Sequence, residues 1–339
     1  MFNQTQKRIG FACKIQESYS KDVVNCKTTG TTITWLNAQP RQKAVDRLWL
    51  LMKQNIQALH NQIVYISKLP PEQRMFRLSS DLLTAYSHED WMWFYFQTDV
   101  VDFLEKNLSK IGDTARAADI RLSFHPGQFC VLASENAEIV DRSVTEFEYH
   151  ADLIRYMGYG KKFQDFKCNV HIGGKQGPAG IRRAMNLLTP EARNTLTIEN
   201  AEFTWGIEAS LELVDVCALV LDVHHHWIAT GRYYSPDPRV DKTQQILESW
   251  RGVRPVIHYS QSREDVLVDH DPELLPDMRE LIPLGYTKQK LRAHSEMYWC
   301  QPQNEWALEF LQWADIMCES KQKNTASTEL ADLWRLHNQ

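Results

Sequence analysis

Residues 121–128 read Arg121-Leu122-Ser123-Phe124-His125-Pro126-Gly127-Gln128. A short β-rich run closes on a histidine, and Pro126-Gly127 turns the chain at once, which stops the strand and exposes the imidazole. A helical pattern over 135–156 follows, then a second β-rich run over 166–172 that carries His171 near its end. The alternation extends in both directions. Further β-rich runs fall at 8–13, 75–79, 195–199, 218–222, 254–258 and 314–319. Helical patterns fall between them at 41–63, 100–118, 181–188, 207–216, 243–251 and 304–312, with a last one at 328–336. Strands alternating with helices imply parallel pairing through crossovers. Eight such units predict an α/β fold closed into a TIM (β/α)8 barrel rather than an open doubly wound sheet. The whole chain, 1–339, is read as a single domain. Two stretches break the rhythm, 18–40 and an irregular insertion around 261–292, and a loop or an added helix is expected in each.

The 339 residues are 43% hydrophobic and 24% charged, a composition that excludes a disordered or collagen-like chain. Lys+Arg number 38 against 43 Asp+Glu, a net charge of -5. That balance excludes a histone-like coating of nucleic acid but leaves room for a local basic groove. No apolar run reaches the roughly 18 residues of a membrane span, and residues 1–8 lack a secretory signal, so no membrane association is expected. The cysteines at 13, 26, 130, 168, 217, 300 and 318 form no C-x-x-C pair, which suits reduced thiols and a cytoplasmic location. There is no G-x-S-x-G and no Walker loop, so neither a serine nucleophile nor a nucleotide cofactor is expected.

What ends the strands carries the chemistry. Apolar runs close on His125, His171, Glu199, Asp222, His258 and Glu319. In a barrel, C-terminal strand ends converge on one face, where active sites are built. Gathering these groups there without a cation would set like charges together out of water. Divalent metal resolves this, because imidazoles and carboxylates suit Zn, Mn or Fe. Glu199-Asn200 leaves a carboxylate able to bridge two ions, and the run His224-His225-His226 after Asp222 supplies one further ligand. Gly173-Gly174 after His171 permits close backbone approach to a phosphate or ligand. His294 has no strand before it. His60, His150 and His337 fall in helical patterns as surface or packing residues. The aromatic stretch 91–96 reads equally as core packing or as a base-stacking surface.

With these residues in view the chain resembles the UV damage endonucleases, DNA-repair enzymes with a TIM barrel of the endonuclease IV, xylose isomerase-like type. The resemblance rests on Ile9-Gly10-Phe11, Phe76-Arg77-Leu78-Ser79-Ser80 with His88, and Leu122 to Phe129. It continues through His171-Ile172-Gly173-Gly174, Leu196 to Asn200, Asp222 to His225, His258 to Gln261, Arg292 to Ser295 and Ala314 to Lys321. It implies two or three divalent ions, manganese first, with Zn2+, Mg2+ or Co2+ as substitutes. Glu199 would bridge, His125 and His171 would hold one ion, and Asp222, His258 and Glu319 a second. His225 and His294 would belong to a third. The catalytic set implied is Glu199, His88, His258 and Glu319, with His88 close to the scissile phosphate. Gln128 and Phe129 match the pair that the family inserts into the duplex at a lesion, and Phe11 stands where a Tyr is common. Lys175 is a candidate phosphate contact, as are Arg232 and Lys321.

The implied reaction is an ATP-independent nick 5′ to cyclobutane pyrimidine dimers or 6-4 photoproducts, leaving 3′-hydroxyl and 5′-phosphate ends. The partner is damaged double-stranded DNA, and the protein is expected to act as a monomer. Besides Phe11, two positions depart from the family, and the 261–292 stretch is longer than the resemblance leads one to expect. Ile15 falls near an Asn thought to help in the damage pocket. Val256 stands where some relatives carry a lysine that can be carboxylated, two residues before the seventh-strand His, which removes an acidic ligand of the third ion. Glu264, Asp265, Asp269 or Asp271 would have to replace it. The competing readings are a metal-dependent sugar isomerase or epimerase on the same scaffold, a non-catalytic damage-binding protein, and a broader abasic-site endonuclease.

Overall fold

The computed structural model describes residues 6–16 and 25–338. The opening of the 18–40 stretch lies outside them. Eight parallel strands close into one barrel in chain order, β1-β2-β3-β4-β5-β6-β7-β8. They are β1 Ile9–Ala12, β2 Met75–Arg77, β3 Arg121–Phe124, β4 Lys167–His171, β5 Leu196–Glu199, β6 Ala218–Asp222, β7 Val256–Tyr259 and β8 Asp315–Cys318. All eight expected strands are present and the TIM barrel is found, with ends displaced by one or two residues.

The helices are α1 Ile33–Asn37, α2 Arg41–Ser67, α3 Thr98–Ala117, α4 Ala137–Tyr156, α5 Gly177–Met185, α6 Pro190–Thr195 and α7 Ile207–Leu211. They continue as α8 Val223–Thr230, α9 Asp241–Ser249, α10 Met278–Leu281, α11 Lys288–Leu291, α12 Gln301–Glu309 and α13 Asn324–His337. The layer they form follows from helical periodicity. On α3 the buried positions Val100, Leu104, Leu108, Ile111 and Ala115 recur at three- and four-residue intervals and face the barrel. The expected helix at 207–216 stops after Leu211, and the one at 181–188 starts earlier, at Gly177. Pro178 in the first turn needs no N–H partner there.

Register decides which side chains fill the barrel. Ala12 pairs with Arg77, Arg77 with Ser123, Ser123 with Lys167, Asn169 with Thr197, His171 with Glu199, Asp222 with His258, and Val256 with Asp315. With the two-residue alternation of a strand, these positions point inward. The intervening ones, Phe11 beside Phe76 among them, point to the helices.

At the N-terminal end of the barrel a fully buried Asp315 is surrounded by arginines. Arg121 Nη1 reaches its Oδ2 at 2.6 Å, Arg254 Nε its Oδ1 at 2.7 Å, and the Arg8 amide its Oδ1 at 3.0 Å. Arg121 and Arg254 are themselves buried, so the carboxylate is the counter-charge for both guanidinium groups. The 261–292 insertion builds a small core of its own, Leu267, Met278, Leu281 and Leu291 against Trp227 and Ile228 of α8.

Asp315→Ala should destabilise the protein by about 3–5 kcal/mol, because removing one member of a buried pair leaves the partner charges uncompensated. Urea unfolding is the measurement, and a loss below about 1 kcal/mol would show that the arginines find other partners or water.

Candidate metal centre

Six strand-end side chains meet at the C-terminal mouth. His125, His171 and Glu199 form one group whose ligand atoms lie within 4.8 Å of one another. Glu199, Asp222 and His225 form a second, and Asp222, His258 and Glu319 a third. Glu199 is shared by the first two and Asp222 by the last two. Glu199 Oε2 is 3.2 Å from His125 Nε2, and its Oε1 is 3.1 Å from His258 Nδ1 and 3.5 Å from His225 Nδ1. Glu319 Oε1 lies 3.2 Å from His258 Nδ1.

Several of these atoms face one another without hydrogen bonding. Glu199 Oε1, Asp222 Oδ2 and His258 Nδ1 are buried and have no hydrogen-bond partner among the described residues. Orphaned polar atoms are costly in a folded interior. Oxygen and imidazole lone pairs converging in this way make a donor set of the kind that divalent ions occupy, so these residues can hold metal ions.

The supporting contacts orient the ligands. His125 Nδ1 donates to the Pro126 carbonyl at 2.9 Å, leaving the Nε2 lone pair toward Glu199. Asn169 Nδ2 donates to Glu199 Oε2, and Thr197 Oγ1 to Asn169 Oδ1 at 2.7 Å. Asp222 also begins α8: its Oδ1 accepts the His225 amide at 2.7 Å, so one oxygen caps the helix while the other faces the centre. The histidine run therefore forms the first turn of a helix, not a loop. His225 Nδ1 lies 3.0 Å from the Asn200 carbonyl, to which it donates. With Nδ1 so engaged, the nitrogen left for a cation is Nε2, which faces Glu202 Oε2 at 3.9 Å rather than Glu199 and Asp222.

His294 arrives by a route the strand pattern does not contain. The insertion returns to β7 through an antiparallel bridge between Ser262 and His294, with the Ser295 amide on the Gln261 carbonyl at 2.9 Å. His294 Nδ1 donates to the Glu319 carbonyl at 3.1 Å and lies 3.9 Å from Glu319 Oε2. It belongs to none of the three ligand groups.

The electrostatics are those of packed charge. Burial pushes the Glu199 carboxyl up, but the His258 and His171 imidazoles outweigh it and hold the group well below the usual carboxylate range. Glu319 is held low against burial by Arg77 and His258. Asp222 goes the other way: burial, with the charges of Glu199 and Glu319 beside it, raises it well above the usual value despite His225. Burial presses His258 down to about 4, while Asp222 and Glu199 lift His225 to about 9 against its own burial.

Other expected residues fall elsewhere. Phe11 is 1% exposed and packs on Phe76, ring centroids 5.1 Å apart, on the helix side of β1, so it is not positioned to touch a substrate. Gly174 approaches protein, not a ligand. Its φ is +90°, and a Cβ would come within 2.3 Å of the Ala133 carbonyl in the β3–α4 loop. Gln128 and Phe129 stand on that loop next to His125, both exposed, Phe129 at 85%. His88, in the loop after β2, is partly exposed, and its Nδ1 accepts the Asp90 amide at 3.3 Å. Lys175 is exposed and pairs with Glu135 at 3.2 Å, and Lys321 pairs with Glu296 at 3.2 Å. Arg232 lines a cleft between the end of α8 and the insertion. In the 91–96 stretch Trp91, Phe94 and Tyr95 are buried, as packing requires, and Phe96 is exposed.

None of the four acids expected to replace the lost ligand, Glu264, Asp265, Asp269 and Asp271, joins a ligand group; Asp269 is exposed, and Asp271 accepts the Glu273 amide at 2.9 Å. Glu264 takes the Glu296 and Met297 amides, and Asp265 pairs with Arg263. The carboxylate facing His225 Nε2 is Glu202, which the strand-end pattern passes over because it lies in the β5–α7 loop. Two interior cations were missed as well. Arg77 pairs with Glu319, and Lys167 Nζ is 3.0 Å from His258 Nε2. The inward-facing lysine beneath His258 thus comes from β4, where β7 has Val256. Both were legible only through inward parity.

The UV-endonuclease UvdE family profile matches residues 7–338. The chain belongs to that family. It is 24% identical over 328 residues to a UV DNA damage endonuclease of Bacillus cereus, covering 93% of this chain and 92% of that protein. It is 27% identical over 277 residues to a UV-damage endonuclease of Schizosaccharomyces pombe, covering 77% of this chain and 41% of that protein. The chain therefore spans less than half the length of the yeast relative. The crystal structure of SacUVDE superposes with a TM-score of 0.72 at 23% identity, covering 98% of this chain and 99% of that one, and so shares the fold.

Asn169→Ala removes the amide that orients Glu199 and should weaken divalent-ion binding by about 10–100-fold, read by calorimetry. Affinity should also rise with pH, because a cation must displace the proton that burial keeps on Asp222. A pH-independent affinity between mildly acid and neutral solution would refute that assignment.

Proposed function

We propose that the protein is a metal-dependent DNA-repair endonuclease that cuts the phosphodiester backbone 5′ to UV lesions. The lesions are cyclobutane pyrimidine dimers and 6-4 photoproducts, and the ATP-independent cut leaves 3′-hydroxyl and 5′-phosphate ends. It acts as one barrel domain, as a monomer, in the cytoplasm. One observation carries this reading: ligand atoms without hydrogen bonds converge at the barrel mouth, directly beneath a loop that raises Gln128 and Phe129 into solvent.

Two or three divalent ions, manganese first, held by His125, His171, Glu199, Asp222, His225, His258, His294 and Glu319, would supply a hydroxide near neutral pH and stabilise attacking and leaving oxygens. The chain's own residues do the rest. Glu199, kept ionised by its imidazole neighbours, is the carboxylate common to two ligand groups. Asn169 and the Asn200 carbonyl hold Glu199 and His225 in place. His88, with Nδ1 taken by the Asp90 amide, keeps Nε2 for a phosphate oxygen.

Selectivity comes from the rim. Phe129 offers a face for stacking and Gln128 a hydrogen-bonding amide. Inserting such a pair costs the unstacking of a base step, a few kcal/mol, and a damaged step costs less than an intact one. Lys175 lies on the adjacent loop, where its exposed amine can exchange Glu135 for a phosphate.

The test is nicking of a duplex carrying one defined pyrimidine dimer, with manganese, beside an undamaged duplex and a sugar isomerisation assay. A single cut 5′ to the dimer is expected, abolished by chelator and by Glu199→Ala. Failure to cut with the metal loaded would sink the nuclease reading, and sugar turnover would replace it. Gln128→Ala with Phe129→Ala should lower the preference for damaged over undamaged duplex by about 10–100-fold, the equivalent of that unstacking cost, with metal content unchanged.

A further inference from the structure

Two cations inside the barrel have no part in hydrolysis as described. Arg77 on β2 and Lys167 on β4 point inward and share one row of the register, Arg77 opposite Ser123 and Ser123 opposite Lys167. Lys167 is buried, 3% exposed, and the Arg77 side chain is largely shielded, 13% exposed. Arg77 Nη1 pairs with Glu319 Oε1, the same oxygen that faces His258 Nδ1 at 3.2 Å. Lys167 Nζ meets the opposite nitrogen of that ring, Nε2, at 3.0 Å. The two cations therefore support two members of one ligand group, Asp222, His258 and Glu319.

Packing does not account for an arginine at 77. A buried guanidinium carries a desolvation cost that an apolar side chain of similar volume would avoid, and its Nε has no partner at all. What the arginine supplies is charge. Two carboxylates, Glu199 and Asp222, are buried at the mouth, Glu319 beside them is largely shielded, and each needs compensation. Divalent ions compensate them only while bound, whereas Arg77 does so for Glu319 at all times. Its Nη1 also ties Glu319 Oε1 to the β2 side of the barrel.

We propose that Arg77 is a positioning residue of the centre: a built-in cation that keeps Glu319 in ligand geometry and the barrel folded between ions. The inference rests on the strand ends being a metal centre. It has a thermodynamic signature. Compensation by Arg77 is partly redundant once ions are bound, so its loss must cost the ion-free protein more than the loaded one. An arginine that merely fills space would cost both equally.

The experiment is thermal unfolding of wild type, Arg77→Gln and Arg77→Lys, each in chelator and in saturating manganese, with manganese binding by calorimetry. The manganese-induced rise in Tm should be roughly two-fold larger in Arg77→Gln than in wild type and return toward wild type in Arg77→Lys. Recovery of Arg77→Gln only when manganese is present throughout purification would support the same conclusion. A rise equal to or smaller than that of wild type would overturn it. If Arg77→Gln folds in neither condition, the double variant Arg77→Gln with Glu319→Gln carries the test: recovery of folding in chelator would support the charge role, and no recovery would overturn it. Wild type that takes up no manganese would bring down the metal reading and this inference together, whereas uptake with an unchanged rise would remove this inference alone.

Discussion

Buried like charge at the barrel mouth is the constraint to which the rest of the molecule answers. Glu199, Asp222 and Glu319 come from strands β5, β6 and the end of β8, and inward parity leaves them nowhere to point but at each other. Closing the sheet buries them. Each neighbouring feature then reads as a response: imidazoles from β3, β4 and β7 interleaved among the acids, an amide from Asn169 on one oxygen, a helix cap on another. Asp222 shows how tight the balance is, since it alone of the three is pushed above its ordinary range.

The interior below continues the logic. Charged layers stack along the barrel axis, with Asp315 between Arg121 and Arg254 at the base, Arg77 and Lys167 in the middle, and carboxylates at the mouth. Barrels are more often filled by branched apolar side chains. A polar filling this extensive is stable only if each charge finds a partner, within its layer as at Asp315 or in the next as between Arg77 and Glu319. It also ties the site to the scaffold, because a change in one layer alters the field felt by the next.

The strand ends were legible because each ligand follows an apolar run and a turn cuts the run short, as at His125-Pro126-Gly127. Fold and ligand set thus come from one pattern. What the pattern hid lies one step to either side. Arg77 and Lys167 sit within or at the start of short runs, where a charge looks like a boundary, and only the register shows that it points inward. His294 is delivered by a two-residue antiparallel bridge that no periodicity marks. Phe11 was misread through resemblance, since its motif position is right but its parity aims it at the helices. Gly174 was misread for a physical reason: a positive-φ glycine signals close approach without saying to what, and here the neighbour is the Ala133 backbone.

That last contact bears on how rim and centre divide the work. The loop from His125 to Ala133 is fixed at several points: the His125 carbonyl by Ser80 Oγ at 3.0 Å, the Val131 amide by Ser143 Oγ at 2.8 Å, and the Ala133 carbonyl by the Gln176 amide at 3.0 Å. Gln128 and Phe129 project from between these anchors, three and four residues beyond a ligand histidine. A wedge on a mobile loop could recognise distortion but would not fix where the backbone meets the ligands. Anchoring it sets a constant offset between the step that is pried apart and the phosphate presented to the centre. On the proposed reading this offset makes a cut at one defined position 5′ to the lesion a consequence of loop geometry, while the chemistry below stays indifferent to which lesion opened the stack.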